Sequence, residues 1–539
     1  MKADEKTGAP SAISDHLDTG RRGRTARLSL VPRAIEHIQG NAHVFAWLLL
    51  SVPIGALCVL TRGYPTTAGD GDAGIFLSVA GRLLAGDTLY RGVFDNKDPL
   101  FYYGQTLALW ALGWRGPLLL DVVWICAASV GAHLLLMALT GDRVVAVFGQ
   151  VLYPLLLTGI LYRDHVGYSE TPGLSLLPLL AYVVYRRKSI LAGSAAAVVL
   201  LLKVNLLPVV AMVALCGFLL PQQSSRSVRG LIRFASATAT GIALIFAVLV
   251  MRGEAGAYLA TLEENINYAP RALRVVYHLS GIYGHLVVLR DKMPRITRDL
   301  LIVVGCFLGG VAVASADMRS WLRRSDLALL TAAAAVGTLI MLAETALWSN
   351  HLEALAFPLV CAGSLSLEAT RRSFCGRRRP LGIGAVGAVT ACCVLASVSM
   401  NAPTLANVRA WFASPTTFVS DALKGGARQV HAPAGVSYFH LGANDEDGQG
   451  AFLGGTFRLA CPRFHQYPFT PPAALRQTLD CVRRTRPRLI AVTPSFAKSP
   501  RWPRVWNEFV QAATTYLRSG CRVSVARPQV RVYICPVHM

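Results

Sequence analysis

The chain has 539 residues, of which 53% are hydrophobic and 15% charged, and its formal net charge is +23. An ordinary soluble domain carries about 25% charged residues, so this balance excludes a plain globular enzyme. It points instead to a mostly α, polytopic helical membrane protein with some soluble mass attached. The basic excess does not argue for nucleic acid, because the arginines fall in short clusters between apolar runs, as the positive-inside rule requires of cytoplasmic loops.

In chain order, residues 1–43 are polar, carry Arg21, Arg22, Arg24, Arg27 and Arg33, and show no apolar period. They read as a disordered cytoplasmic tail, since the charged segment is too long for a signal peptide. Apolar runs then predict eleven spans, at 44–62, 117–139, 144–162, 171–185, 190–204, 206–220, 232–250, 299–316, 327–345, 354–369 and 381–399. Several are shorter than the roughly 20 residues a straight span needs. With the N-terminus cytoplasmic, the inner loops hold most of the clustered arginine, including Arg186, Arg187, Arg319, Arg323, Arg324 and Arg377–Arg379. The outer side then receives a large first loop at 63–116, together with Arg163–Glu170, Gly253–Arg298 and Trp348–Glu353. Pro99–Gly113 cannot cross the membrane without inverting everything after it, so it reads as an amphipathic helix on the outer surface, as does Ile75–Leu84.

After the transmembrane part, 44–399, the composition changes. Residues 400–539 show short apolar alternations at Arg488–Val492, Arg522–Ala526 and Val530–Cys535, separated by Pro- and Gly-rich turns. They predict a small α/β domain, which an odd number of spans puts outside the cell membrane. Eight of the twelve cysteines lie in or beside apolar runs and read as small apolar fillers. The other four, Cys461, Cys481, Cys521 and Cys535, lie in this last part. A hairpin turning at Arg527-Pro528-Gln529 that pairs Ala526 with Val530 brings Cys521 opposite Cys535. That bridge leaves Cys461 and Cys481 as the second pair; in a reducing compartment all four would be free thiols.

The first outer loop is where chemistry concentrates. Asp70, Asp72, Asp87, Asp95 and Asp98 fall within 29 positions of a chain that has 30 acidic residues in all, and acids beside a span are costly and usually functional. Glu170 stands at the outer mouth of the fourth span, with Lys97, Arg163, Lys203 and His351 supplying cationic or titratable groups at the same level. A carboxylate there can act as general base on a hydroxyl, and cations can hold a phosphate and stabilise it as a leaving group. Ordinary structural roles compete: Asp72 suits the N-cap of Ile75–Leu84, Asp95 suits a turn, Lys97 suits an interface, and Glu170 suits a cap of its own span. Asp87 and Asp98 read as solvated turn residues. No phosphate-binding P-loop, zinc motif or dinucleotide loop occurs in a fitting context.

Asp72, Gly74, Ala80, Leu83, Leu84, Gly86, Tyr90, Arg91, Asp95, Lys97, Pro99, Leu100 and Tyr102 form a pattern that resembles the first outer loop of the GT-C superfamily. These are integral-membrane glycosyltransferases that use polyprenyl-phosphate sugars, and the likeness is to the branch holding protein O-mannosyltransferases and lipid A aminoarabinose transferases. Lys97-Asp98-Pro99 replaces the Lys-Pro-Pro common in that branch, which marks a divergent bacterial member. The resemblance extends to Glu170-Thr171-Pro172, to Lys203 with Asn205, to His351-Leu352-Glu353 and to an extracytoplasmic α/β tail. It implies Asp72 as catalytic base, with Asp70 its rival two residues earlier, and Glu170 as the second acid of the site. It further implies that Lys97, Lys203, Arg163, Asp95 and His351 bind substrate.

The reading is therefore an inverting glycosyltransferase of the cell membrane. It would move a hexose or pentose from a polyprenyl-phosphate donor to an extracytoplasmic glycan, lipid or protein hydroxyl, in contact with membrane lipids. No cofactor is certain; Asp72 and Glu170 could share a divalent metal, although two acids do not make a site. The rival is a transporter, lipid-handling protein or scaffold without covalent chemistry. A transporter would carry internal repeats and ionisable groups deep in its helices.

Overall fold

The computed structural model describes residues 49–59, 71–160, 169–219, 228–276, 325–343, 349–374, 418–430, 435–442, 457–463, 466–494, 496–528 and 530–536. The spans expected at 299–316 and 381–399, and the tail at 1–43, lie outside them. Ser51–Met539 packs as one unit, distinct from Met1–Leu50.

The helices are α1 (Leu49–Val59), α2 (Gly71–Leu84), α3 (Pro99–Leu112), α4 (Gly116–Thr140), α5 (Arg143–Leu155), α6 (Glu170–Tyr185), α7 (Ser189–Leu202), α8 (Leu207–Leu219) and α9 (Val228–Met251). They continue as α10 (Ala255–Ile266), α11 (Tyr268–Val276), α12 (Asp326–Ala343), α13 (Ala356–Phe374), α14 (Phe418–Gln429), α15 (Pro472–Thr485) and α16 (Arg504–Gly520). Among the described residues four helical stretches are long and apolar enough to cross a membrane: Gly116–Thr140, Val228–Met251, Asp326–Ala343 and His351–Ala369. Shorter apolar helices such as Leu49–Val59, Arg143–Thr158, Ser189–Leu202 and Val204–Leu219 occupy further expected spans.

Local chemistry sets the boundaries. α4 opens on Gly116-Pro117, where a missing N–H costs nothing. It ends at Gly141, whose left-handed φ of 67° returns its N–H to Met137 O. Asp142 then caps α5 by accepting from Val144 N and Val145 N. Pro154 sits inside α5, and the helix loosens directly after it into a π turn over Leu156–Ile160. The bundle interior is apolar, with hydrogen bonds as cross-links: Gln150 Nε2 and Ser129 Oγ both donate to Ser51 Oγ, at 2.9 and 3.0 Å. α9 turns Leu244, Val250 and Met251 outward, at 65%, 56% and 79% exposure. Such a face is at home against lipid rather than water. The protein is membrane-embedded and mostly helical.

Residues 418–536 build a five-stranded sheet in the order β2-β1-β3-β5-β4, from β1 (Val436–Leu441), β2 (Phe457–Leu459), β3 (Leu489–Val492), β4 (Arg522–Arg527) and β5 (Val530–Ile534). β1 runs parallel to β2 and β3, and β5 runs antiparallel to β3 and β4. The three expected strands are present. The hairpin register at the turn differs from expectation: Arg527 pairs with Val530 and Ala526 with Arg531. A bulge between Val523 and Val525 then takes up one residue, so Arg522 faces Ile534. Cys521 is disulfide-bonded to Cys535, and Cys461 to Cys481.

Gly253–Arg298, expected as a loop, holds α10 and α11 over its described part. Their polar residues hide them from an apolar-length criterion. The sheet, α2, α3 and the chain around Leu89–Val93 share one apolar core with Tyr258 of α10, so the described part of the stretch expected as the first outer loop is packed rather than extended.

Candidate active site

The site forms where two helices are interrupted at the same level. Glu170 is the first residue of α6, and Lys203 stands between α7 and a 3-10 turn, Val204–Leu206, in extended conformation (φ −158°, ψ 93°). Pro208, two residues into α8, disfavours continuing the preceding helix without a break. Gly173 lets α6 come close: a Cβ there would lie 2.8 Å from Leu206 Cδ1 and 3.1 Å from Lys203 Cβ.

Lys203 Nζ meets Glu170 Oε1 at 2.6 Å, and the two side chains are 7% and 1% exposed. Ser169 Oγ donates to Glu170 Oε2 at 3.0 Å and accepts from Lys203 Nζ at 3.1 Å. His351 Nε2 lies 3.9 Å from Glu170 Oε1, Lys97 also lies within electrostatic reach of that carboxylate, and buried Glu353 accepts from Thr171 Oγ1 at 3.5 Å. The structure thus gathers Lys97, Glu170, Lys203 and His351 from four distant parts of the chain. Cap duty is not what Glu170 does, since its oxygens go to Lys203 and Ser169. A divalent ion there would have to displace Lys203 or share that carboxylate. Among the described residues no group of three or more His, Cys, Asp or Glu is placed to hold a metal.

Asp98 corrects the reading of it as a solvated turn residue. It is 5% exposed, and it accepts from Val204 N at 2.9 Å and from Tyr258 OH at 3.0 Å. The amide that the α7 break leaves unpaired is therefore satisfied by the loop acid. Burial pushes the Asp98 carboxyl above its ordinary range, against the opposing pull of the Val204 amide, Lys203, Tyr258 and Lys97. Asp87 is likewise not solvated; it is half-buried in an ion pair with Arg82.

Asp95 is buried at 3% exposure and accepts from Tyr102 OH. Lys97 Nζ lies 5.6 Å from the centre of the Phe76 ring, and its carbonyl accepts from Tyr90 OH at 2.7 Å. Tyr90 holds a φ of 66°, a conformation costly for a bulky residue and typical of functional loops. Asp72 is the second residue of α2; its side chain lies outside the described residues, as do Asp70 and Arg163 entirely. Glu254, missed in the sequence, is fully buried and accepts from Leu89 N and Arg252 Nε, each at 3.0 Å, and from Tyr103 OH. A lone acid after the basic, apolar end of α9 offers no pattern by which to find it.

No family model matches the chain, and no curated protein matches it in sequence. Among solved structures it is similar to ArnT from Cupriavidus metallidurans bound to undecaprenyl phosphate, with a TM-score of 0.52 at 10% identity, over 92% of this chain and 98% of that one. The chain shares the fold of this ArnT. The apo state of the same ArnT aligns with a TM-score of 0.49 at 11% identity, over 92% and 98% of the two chains. The arabinofuranosyltransferase AftD from Mycobacteria aligns at 0.48 and 17% identity, over 92% of this chain and 42% of AftD. Of these, the alignment above 0.5 bears on the fold, and at 10% identity on the fold alone.

Proposed function

We propose that this GT-C-fold protein is an inverting glycosyltransferase that moves a sugar from a polyprenyl-phosphate donor to an acceptor hydroxyl on the outer side of the membrane. The observation that carries the reading is the cluster of Lys97, Lys203 and His351 around Glu170. A phosphate-bearing lipid head at this depth would find cations already ordered, so little reorganisation would be needed as charge develops on the leaving phosphate. The fold shared with ArnT, which was captured with undecaprenyl phosphate, agrees with such a donor.

In this mechanism Asp72, or Asp70 two residues before it, takes the proton of the acceptor hydroxyl. The hydroxyl oxygen attacks the anomeric carbon from the side opposite the phosphate, and the C–O bond to the phosphate breaks. Lys97, Lys203 and His351, joined by Arg163, hold the departing phosphate. Glu170 orients Lys203, and Asp95 orders the loop. The full topology belongs to the same proposal: eleven spans, a cytoplasmic N-terminus, and residues 400–539 as an extracytoplasmic α/β domain. Two disulfides fit that compartment.

The test is to supply purified protein in bilayer discs with a panel of polyprenyl-phosphate sugars and follow release of polyprenyl phosphate. Asp72→Ala and Asp70→Ala together should lower turnover by at least about 100-fold, the low end of what a general base contributes. Unchanged turnover would sink the mechanism.

A further inference from the structure

A cavity of about 370 Å³ lies at the other end of α6 from Glu170, where α4, α6, α8 and α12 end or begin. Fifteen residues of helix separate Glu170 from Tyr185, or about 22 Å along the axis, so this cavity is remote from the candidate active site. Apolar residues such as Leu139, Val184, Val213 and Leu330 line it together with Arg186 and Arg187, which follow the end of α6.

Two features mark this lining as built. Arg187 occupies the left-handed position at the end of α6, with a φ of 53°, where a glycine is the ordinary residue. The chain thus accepts backbone strain to keep a guanidinium in the cavity lining. Asp326 also lines the cavity, but it is hydrogen-bonded to Tyr185 and lies within reach of Arg187. Among the described lining residues, two arginines stand against one acid. Neighbouring acid at this end is also neutralised, since Asp142 is paired with Arg371 of α13.

We infer that this cavity binds an anionic phospholipid of the membrane, one whose head carries no cation to offset its phosphate, with the phosphate on Arg186 and Arg187 and the first carbons of its chains on the apolar part of the lining. A guanidinium pair matches phosphate oxygens, and an apolar lining rewards a ligand whose phosphate is attached to hydrocarbon. A basic pocket between membrane helices is the usual form of such a site. The inference is independent of the glycosyltransferase reading.

Cys216 lines the cavity and is a free, half-buried thiol, so its alkylation reports occupancy. Full-length protein is placed in discs of phosphatidylcholine, with or without phosphatidylglycerol, and exposed to N-ethylmaleimide; the Cys216 peptide is followed by mass spectrometry. At an anionic lipid level ten times its Kd the rate should fall about tenfold, since protection scales as one plus the ligand-to-Kd ratio. Arg186→Gln with Arg187→Asn should abolish that protection; asparagine tolerates the left-handed backbone. Unchanged variant alkylation in phosphatidylcholine alone would show that the fold persists. Native mass spectrometry of the unmodified protein should find phosphatidylglycerol retained over phosphatidylcholine. Equal alkylation in both discs, protection surviving in the variant, or equal retention of the two lipids would overturn the proposal. Equal protection by inorganic phosphate would also overturn it, by making the ligand a soluble anion.

Discussion

Glu170 and Lys203 face each other at 2.6 Å, both buried, with Ser169 taking a remaining valence on both sides. Removing one partner strands the other, which costs about 3–5 kcal/mol, whereas replacing both by groups of similar size is often tolerated. Glu170→Gln and Lys203→Met should therefore each lower the thermal midpoint sharply, and the double variant should recover most of the loss while staying inactive. A double variant as unstable as either single would place the cost elsewhere. Asp98 behaves differently, because burial raises its carboxyl. The native state then binds a proton more tightly than the unfolded chain, so this stabilisation is complete below the ordinary aspartate value, about 3.9, and is lost as pH rises through the native value. The difference in thermal midpoint between the protein and Asp98→Asn, measured from pH 4 upward, should move against the wild type as pH rises. A constant difference would contradict the buried, raised carboxyl.

At the scale of elements, what the sequence revealed was what has a period or an apolar length. The helices of the bundle, the three late strands and the short helices at 71–84 and 99–112 were legible in that way. The boundary beside Lys203 was legible too, between the expected spans 190–204 and 206–220, but its cause was not; the packing of Gly173 against Leu206 and the docking of Asp98 on Val204 N show why the helix stops. α10 and α11 were missed because Glu263, Glu264, Asn265, Arg271 and Arg274 dilute their apolar positions. The hairpin register was off by one at the turn because a bulge has no sequence marker in Arg522–Arg527. Gly173→Ala tests the break itself. Alanine gains up to about 1 kcal/mol of helix propensity, but its Cβ would press on Leu206 at 2.8 Å, and overpacking costs about 1–3 kcal/mol. A net loss of stability with reduced turnover is expected; a more stable, fully active variant would mean that the two helices do not need that approach.

Across the whole molecule, the loop that carries Tyr90 to Asp98 is held from two sides by parts far away in sequence. α10 contributes Tyr258 to Asp98 and Asn265 Nδ2 to Asn96 O at 2.7 Å. The segment after β2 contributes Pro462 O, which accepts from Phe94 N at 2.9 Å. Arg463 ties the two together: it holds Glu264 of α10 in a bidentate pair at 2.9 and 3.2 Å while its guanidinium lies 3.6 Å from the Phe94 ring centre. The Cys461–Cys481 disulfide, two residues before Arg463, anchors this arm to α15. Arg463, fixed by an ion pair, a ring and a nearby disulfide, is therefore one of the points through which the sheet acts on the candidate site. Arg463→Ala should weaken that hold by about 1–3 kcal/mol, the range for charge-assisted hydrogen bonds, while leaving the sheet folded. Hydrogen exchange should speed up at Leu89–Asn96 and on the face of α10, and stay unchanged in β3 and β5. Exchange that rises equally in the sheet would mean that Arg463 serves the sheet's own stability, and unchanged exchange in the loop would mean that α10 alone holds it.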